Sequence, residues 1–365
     1  MPANNPVNRR SAVKLSAFGV AALVVPSLSG WALPPQRMND RLTGDVTPIH
    51  DPCIIREGDT YYLFCTTSGR GRKAQIPIRT STDLLRWTSA GAVFPNVPDW
   101  AVKRIPGAMG IWAPDISYAN GQFWLYYAVS TFGSNRSVIG LATNATLDPK
   151  AANYKWQDRG LVFESFRNDN YNCIDPAHMV DREGGRWLAF GSFWGGIMLL
   201  KVDAKTGKPA AGDRHLATLA QRPAPEGGPD AIEASFIIER NGTYYLFASY
   251  DYCCKGIFST YYTAMGRSKS IAGPYLDKLG RPMTKGYGSV ILKADLEENG
   301  EWRGPGHCAI LRDKGGRDYI VYHAYYMPKG ARMDPSQWRK NHVGAPYLRI
   351  APLTWSNDGW PTAIV

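Results

Sequence analysis

The sequence predicts an all-β fold, a five-bladed β-propeller formed by a single domain. A unit made of an apolar strand, a tight Gly-containing turn and an aromatic strand recurs five times along the chain. The recurrences lie roughly 60 to 75 residues apart, and a period in the tens marks an array, solenoid or propeller. The 365 residues include 37 Gly and 26 Pro, which suits a fold with many turns. Beyond a leader at residues 1–32, about 333 residues remain, so each of five units has roughly 67, enough for four short strands and their loops.

The leader comes first in the chain. "NRRSAVKLSAFGVAALVVPSLSGWA" pairs Arg9 with Arg10, runs apolar to about Leu28 and reaches Gly30-Trp31-Ala32, which resembles a small-x-small cleavage site. The arginine pair points to a twin-arginine signal at 1–32, hence to a periplasmic or secreted protein. An ordinary secretory signal and an uncleaved anchor are the alternatives. No later apolar run approaches the ~20 residues of a membrane span, so no membrane contact is expected once the signal is removed. Residues 33–44 read as a short linker and 45–365 as the propeller.

The five hairpins follow in order. "HDPCIIREGDTYYLFCTT" turns at Gly58-Asp59, and "DISYANGQFWLYYAV" turns at Asn120-Gly121. "DPAHMVDREGGRWLAFGSF" turns at Gly184-Gly185, "EASFIIERNGTYYLFASY" at Asn241-Gly242 and "HCAILRDKGGRDYIVYHAYY" at Gly315-Gly316. Asn-Gly between two apolar runs is a strong hairpin signal. A two-sheet sandwich is disfavoured, since five evenly spaced hairpins leave few strands to pair across sheets.

Net charge is +11, and loss of Arg9, Arg10 and Lys14 with the leader, which carries no acid, leaves +8. The sequence has no Lys/Arg-rich run and no nucleic-acid motif, so a nucleic-acid partner is not expected. A basic surface also suits a polyanionic wall polymer or plain solvation. Six cysteines form no CxxC pattern. Folding before export would occur in a reducing compartment, so disulfides are not assumed. The adjacent pair Cys253-Cys254 is either a vicinal disulfide or two thiols filling a blade.

A polar residue stands at the start of each first strand: Asp51, Asp115, Asp175, Glu233 and His307. The innermost strands of a propeller line its channel, so these five are expected to converge on one pocket. Carboxylates held close raise each other's pKa, so one stays protonated beside an ionised neighbour. That pairing is what glycoside hydrolysis requires. Metal binding and a purely structural ring remain open on spacing alone.

Several motifs carry a resemblance: "HDP" at 50–52, "WAPD" at 112–115, "IDP" at 174–176, "GSFWGGI" at 191–197, "IEASFI" at 232–237, "YDYCCKG" at 250–256, "GPGH" at 304–307 and "LRIAPLTWSNDGWP" near the C-terminus. Together they resemble family 43 of the glycoside hydrolases, and within it the endo-1,5-α-L-arabinanases, over roughly residues 45–362. The resemblance implies a five-bladed propeller that hydrolyses arabinan with inversion. It implies Asp51 as general base, Glu233 as general acid and Asp175 as the carboxylate that orients the acid and holds its pKa up. It implies His307 at a hydrated metal, usually calcium; a neutral His307 bonded to the carboxylates is the other possibility. Sugar-contact candidates are Trp112, Asp115, Phe132, Asn172, Ser192 and Trp194, with Phe193 as a further aromatic; Asp115 also reads as a capped strand start. An exo-acting arabinofuranosidase or β-xylosidase, and a non-catalytic sugar-binding propeller, are the competing functions. Loops at 69–77 and 255–262 are placed to close one end of a groove. The expected state is a monomer.

Overall fold

The computed structural model describes residues 37–67, 73–223, 230–294, 301–327 and 344–365. The leader expected at 1–32 and residues 69–72 of the loop expected at 69–77 lie outside these residues, while 73–77 are strand and not loop.

The chain is nearly all sheet, arranged as five blades. A short strand β1 (Thr43–Gly44) precedes blade one, which holds β2 (Cys53–Glu57), β3 (Thr60–Phe64), β4 (Lys73–Ser81) and β5 (Arg86–Asn96). A short helix α1 (Asp99–Arg104) leads to blade two, with β6 (Trp112–Ala119), β7 (Gln122–Val129), β8 (Ser137–Asn144) and β9 (Gln157–Ser165). Blade three holds β10 (Ala177–Val180), β11 (Arg186–Phe190), β12 (Ile197–Val202) and β13 (Leu216–Ala220). Blade four holds β14 (Ile232–Arg240), β15 (Thr243–Tyr250), β16 (Tyr262–Ser268) and β17 (Ser289–Leu292). Blade five holds β18 (Trp302–Arg312), β19 (Asp318–Tyr326), β20 (Pro346–Trp355) and β21 (Pro361–Ala363). Within each blade the four strands pair antiparallel in sequence order. The hairpin turns fall where expected; Asn120-Gly121 and Asn241-Gly242 both have positive φ, the backbone that a two-residue hairpin turn needs.

The second strand of each blade is apolar on both faces because a blade packs against each of them. In β7, Leu125, Tyr127 and Val129 join a core shared with blade one, while Trp124 and Tyr126 join one shared with blade three. In β15, Tyr244, Leu246 and Ala248 face blade three, and Tyr245 and Phe247 face blade five. A fifth core joins Leu311, Val321 and Ile350 of blade five to Leu63 and Trp87 of blade one, which closes the ring. Burying side chains on both faces erases the polar-apolar alternation of a half-exposed strand.

One boundary moves. Residues 37–44, expected as linker, dock on the propeller. β1 pairs in parallel with β5, Thr43 opposite Arg86. Asn39 Nδ2 donates to the Tyr322 hydroxyl at 3.2 Å, and its Oδ1 accepts the Ile350 N–H at 2.7 Å. Farther along, Leu348 N–H donates to Val46 O and Ile49 N–H to Pro346 O, stitching blade one to blade five.

Candidate active site

The mouths of the first strands are irregular, and that irregularity aims the functional side chains. Asp51, Asp175 and His307 share one backbone position with left-handed φ of 52°, 56° and 49°. This corrects the sequence alignment in two blades. Ala113 and Ala234 hold the equivalent position there, with φ of 42° and 56°. Glu233 therefore precedes it by one residue and Asp115 follows it by two. A register shift accompanies each displacement, between Trp112 and Asp115 in β6 and between Glu233 and Phe236 in β14. Such bulges re-aim side chains beside functional sites.

Asp51 is buried under three donors. His50 Nδ1 lies 2.8 Å from its Oδ2, His307 Nδ1 lies 2.9 Å from its Oδ1, and the Thr66 hydroxyl donates to Oδ2 at 2.5 Å. Thr66 also accepts the Ala113 N–H at 2.7 Å, tying blade one to blade two. Burial alone would raise the Asp51 carboxyl, but the neighbouring imidazoles of His50 and His307 and their hydrogen bonds outweigh it and hold it well below the usual range. His307 loses from burial and gains more from Asp51, so it is pushed up to about 9.

Glu233 lies in the opposite electrostatic situation. Its Oε2 accepts the Ser192 hydroxyl at 2.6 Å and its Oε1 accepts the Tyr261 hydroxyl at 2.8 Å. Burial raises its pKa against the pull of those two bonds. Asp175 accepts the Ala234 N–H at 3.1 Å through Oδ2, one residue from Glu233. Burial, helped by the negative charges of Glu233 and Asp51, pushes Asp175 well above the carboxylate range against the pull of His307. One pocket thus holds an ionised carboxylate beside two whose ionisation is suppressed.

The remaining candidates divide. Asp115 Oδ2 accepts the His178 N–H at 2.7 Å, which ties β6 to β10; burial raises it to about 7. Asn172, on the segment between blades two and three, accepts the Ser137 hydroxyl of β8 through Oδ1 at 2.6 Å. Ser192 serves Glu233. Phe132 is 85% exposed on the loop between β7 and β8, at the same end of the blade as Trp112. Trp194 is 38% exposed, and beside it Phe193 packs on Tyr252 with ring centroids 5.9 Å apart. Trp112 is half-buried at the start of β6. The sequence reading missed His50, Thr66, Tyr261, His323 and Tyr325. His50 was visible beside Asp51 in "HDP", and His323 interrupts an otherwise apolar strand. His323 is fully buried, accepts the Asp51 N–H at 3.2 Å through Nδ1 and stacks on His50 at 4.0 Å.

The adjacent cysteines Cys253 and Cys254 are bonded to each other, while Cys53, Cys65, Cys173 and Cys308 are buried free thiols.

Calcium takes six to eight oxygens. Among the described residues His307 belongs to no close trio of metal-ligating atoms. Its Nδ1 is engaged by Asp51, so Nε2 is the nitrogen left for a cation. The donor set fits no direct calcium cage. It fits a hydrated cation on one ring nitrogen, among carboxylates, with loss of the His307 proton.

A propeller with three carboxylates gathered in one buried pocket suits a glycoside hydrolase. The family model described as glycosyl hydrolases family 43 matches residues 46–361, and the chain belongs to that family. It is 41% identical over 321 residues to the extracellular exo-α-(1→5)-L-arabinofuranosidase ArbA of Cellvibrio japonicus, covering 86% of this chain and 85% of that protein. It is also 41% identical over 315 residues to the extracellular endo-α-(1→5)-L-arabinanase 1 of Bacillus subtilis, covering 86% of this chain and 87% of that protein. Among solved structures, an exo-1,5-α-L-arabinanase from a bovine ruminal metagenomic library matches with TM-score 0.77 and 40% identity, over 89% of this chain and 99% of that one.

Proposed function

We propose that the protein is an inverting hydrolase that cleaves internal α-1,5-L-arabinofuranosidic bonds of arabinan. The observation that carries this is the contrast between two carboxylates of one buried pocket, Asp51 held by His50 and His307 and shifted down, Glu233 held by two hydroxyls and shifted up. Asp51, ionised, takes a proton from a water that attacks the anomeric carbon. Glu233, protonated, gives its proton to the departing glycosidic oxygen, and that C–O bond breaks with inversion at carbon. Asp175 supports the proton on Glu233. Trp112 and Trp194 offer partly exposed faces for sugar rings, and Phe132 marks an outer contact on the same side of the propeller.

A hydrated calcium on His307 is part of this proposal, with the ring nitrogen as its one protein ligand and water completing its shell. The ion would supply positive charge among Asp51, Asp175 and Glu233, and each proton transfer above belongs to the side chains. Calcium must displace a proton, so its binding should tighten as pH rises and be lost in His307→Gln, as read by metal content after gel filtration. Export to the periplasm or medium agrees with relatives named extracellular. The arginine pair supports the twin-arginine route, and the working form is taken as a monomer.

Linear arabinan tested beside nitrophenyl arabinofuranoside decides the mode. Mixed oligosaccharides with little nitrophenol released support internal cleavage. An exo mode has its own support, because the exo-acting relative is as similar as the endo-acting one. A single short product released from chain ends would establish it.

A further inference from the structure

The disulfide between Cys253 and Cys254 takes no part in the mechanism above, yet it touches the groups that carry Asp51. Cys254 N–H donates to the Tyr325 hydroxyl oxygen at 3.1 Å. Tyr325 Oη lies 2.9 Å from His50 Nε2, and His50 Nδ1 lies 2.8 Å from Asp51 Oδ2. Cys254 Sγ lies 3.7 Å from the same His50 Nε2. We propose that the Cys253–Cys254 ring is a positioning element for Asp51, acting through Tyr325 and His50; this rests on Asp51 being the base.

An amide N–H can only donate, so Tyr325 accepts from Cys254. The Ser259 hydroxyl bonds Tyr325 as well, and its own oxygen accepts the Lys255 N–H at 3.1 Å. The Cys254 amide and the Ser259 hydroxyl, both on one loop, therefore leave the tyrosine proton to point at His50 Nε2. With Nε2 accepting, the imidazole proton sits on Nδ1 and is given to Asp51 Oδ2. His50 is thereby held as the tautomer that orients the carboxylate for water, and Tyr325 fixes the ring plane.

The ring is what holds this donor in place. Cys254 has φ of 65°, a left-handed conformation that a non-glycine residue adopts only at an energetic cost. Bonding the two sulfurs joins neighbouring residues in an eight-membered ring and restricts the backbone between them. Once the ring opens, Cys254 is free to leave the left-handed region, and Tyr325 loses its fixed donor. Cys254 is exposed, so a reductant can reach it.

The experiment compares the enzyme before and after a water-soluble phosphine. The phosphine attacks one sulfur and the S–S bond breaks. Water supplies oxygen to phosphorus, and both sulfurs leave as thiols, which are counted by a thiol reagent. Two thiols should appear beyond the four free cysteines. The expected result is a kcat about tenfold lower on both linear arabinan and an activated aryl arabinofuranoside, with KM within about twofold, since general-base catalysis is worth 10²–10⁴. Tyr325→Phe should show the same loss and no further response to phosphine, because coupled groups are not additive. The double variant Cys253→Ala/Cys254→Ala should match the reduced enzyme; if it fails to fold, the phosphine and Tyr325→Phe arms still decide. Unchanged kcat after full thiol release overturns the proposal. So does a raised KM at constant kcat, which would make the ring a sugar contact. Asp51→Ala is run alongside: if it keeps aryl activity, the base assignment fails rather than the ring's role.

Discussion

Asp51 and His307 form a buried ion pair, Oδ1 to Nδ1 at 2.9 Å, at the junction where blade five meets blade one. The same junction is held by backbone bonds from Val46 and Ile49 and by the core around Leu63 and Val321. Closing the ring and ionising Asp51 therefore depend on the same contacts. A carboxylate here without its imidazoles would carry the full penalty of burial.

Removing each partner of the hydrolysis should separate their roles. Glu233→Ala should lose nearly all arabinan hydrolysis and keep most activity on an aryl glycoside whose leaving group departs without a proton. Asp51→Ala should lose about 10²-fold or more on both substrates, because water needs activation in either case. Equal damage to both substrates by Glu233→Ala would remove it as the acid. The kinetics of the two variants on the two substrates provide the check.

The ion pair has a pH window. His307 is raised in the folded state from 6.5 to about 9, so its contribution is full below about 6.5 and fades as pH rises through 9. Asp51 is lowered, so its contribution is present above about 3.8 and is lost as pH falls through its folded value. Both hold between roughly pH 4 and 6.5. The melting-temperature gap between wild type and His307→Gln, measured in chelator, should be widest there and narrow toward pH 9. A gap that stays constant from pH 5 to about 9.5 would mean that His307 is neutral throughout.

The hairpins were legible because Asn241-Gly242 and its counterparts announce turns, and because strands such as "TYYLF" are buried on both faces. Asp51, Asp175, Glu233 and His307 were legible as polar residues where apolar strands begin. Their exact alignment was not, since the bulges in β6 and β14 insert a residue that leaves no mark in composition. The supporting shell was hidden for a different reason. Thr66 and Tyr261 reach their carboxylates across 15 and 28 residues, and His323 reaches Asp51 across 272. The first two each meet inside one blade through its strand pairing, and only the closed ring makes the third distance small. Residues 37–44 looked like linker because Asn39 holds the ring by hydrogen bonds and so leaves no apolar period to read.

Asp115 should behave as a stability liability at high pH. Burial raises it from 3.8 to about 7, so the folded chain binds a proton there that the unfolded chain releases. Stability from this group falls as pH climbs from about 4 to 7 and stays low above. Asn cannot ionise and can still accept the His178 N–H. Asp115→Asn should melt higher than wild type at pH 8 and close to it at pH 4, with polymer activity retained. A lower melting temperature at pH 8 would show that the carboxylate charge is compensated by a partner.

Glu233 can be tuned in both directions, and the signs differ by neighbour. Asp175 and Glu233 share one field, so a charge on either holds the proton of the other, and an amide at 175 that never ionises lets Glu233 ionise at lower pH. Asp175→Asn should therefore move the alkaline limb of the kcat/KM profile to lower pH. Tyr261 acts the other way, because its hydroxyl donates to Oε1 and favours the carboxylate. Tyr261→Phe removes that bond and should move the same limb to higher pH, as a hydrogen bond to the charged form lowers a pKa. Both variants keep the shape of the residue they replace, so pocket collapse is not expected to mask the effect. Profiles of the two on linear arabinan, whose leaving group needs the proton, overlaid on wild type, give the readout. Shifts of the same sign would mean that the alkaline limb belongs to a group other than Glu233. An unmoved limb in Asp175→Asn alone would reduce Asp175 to holding the Ala234 amide and the sugar.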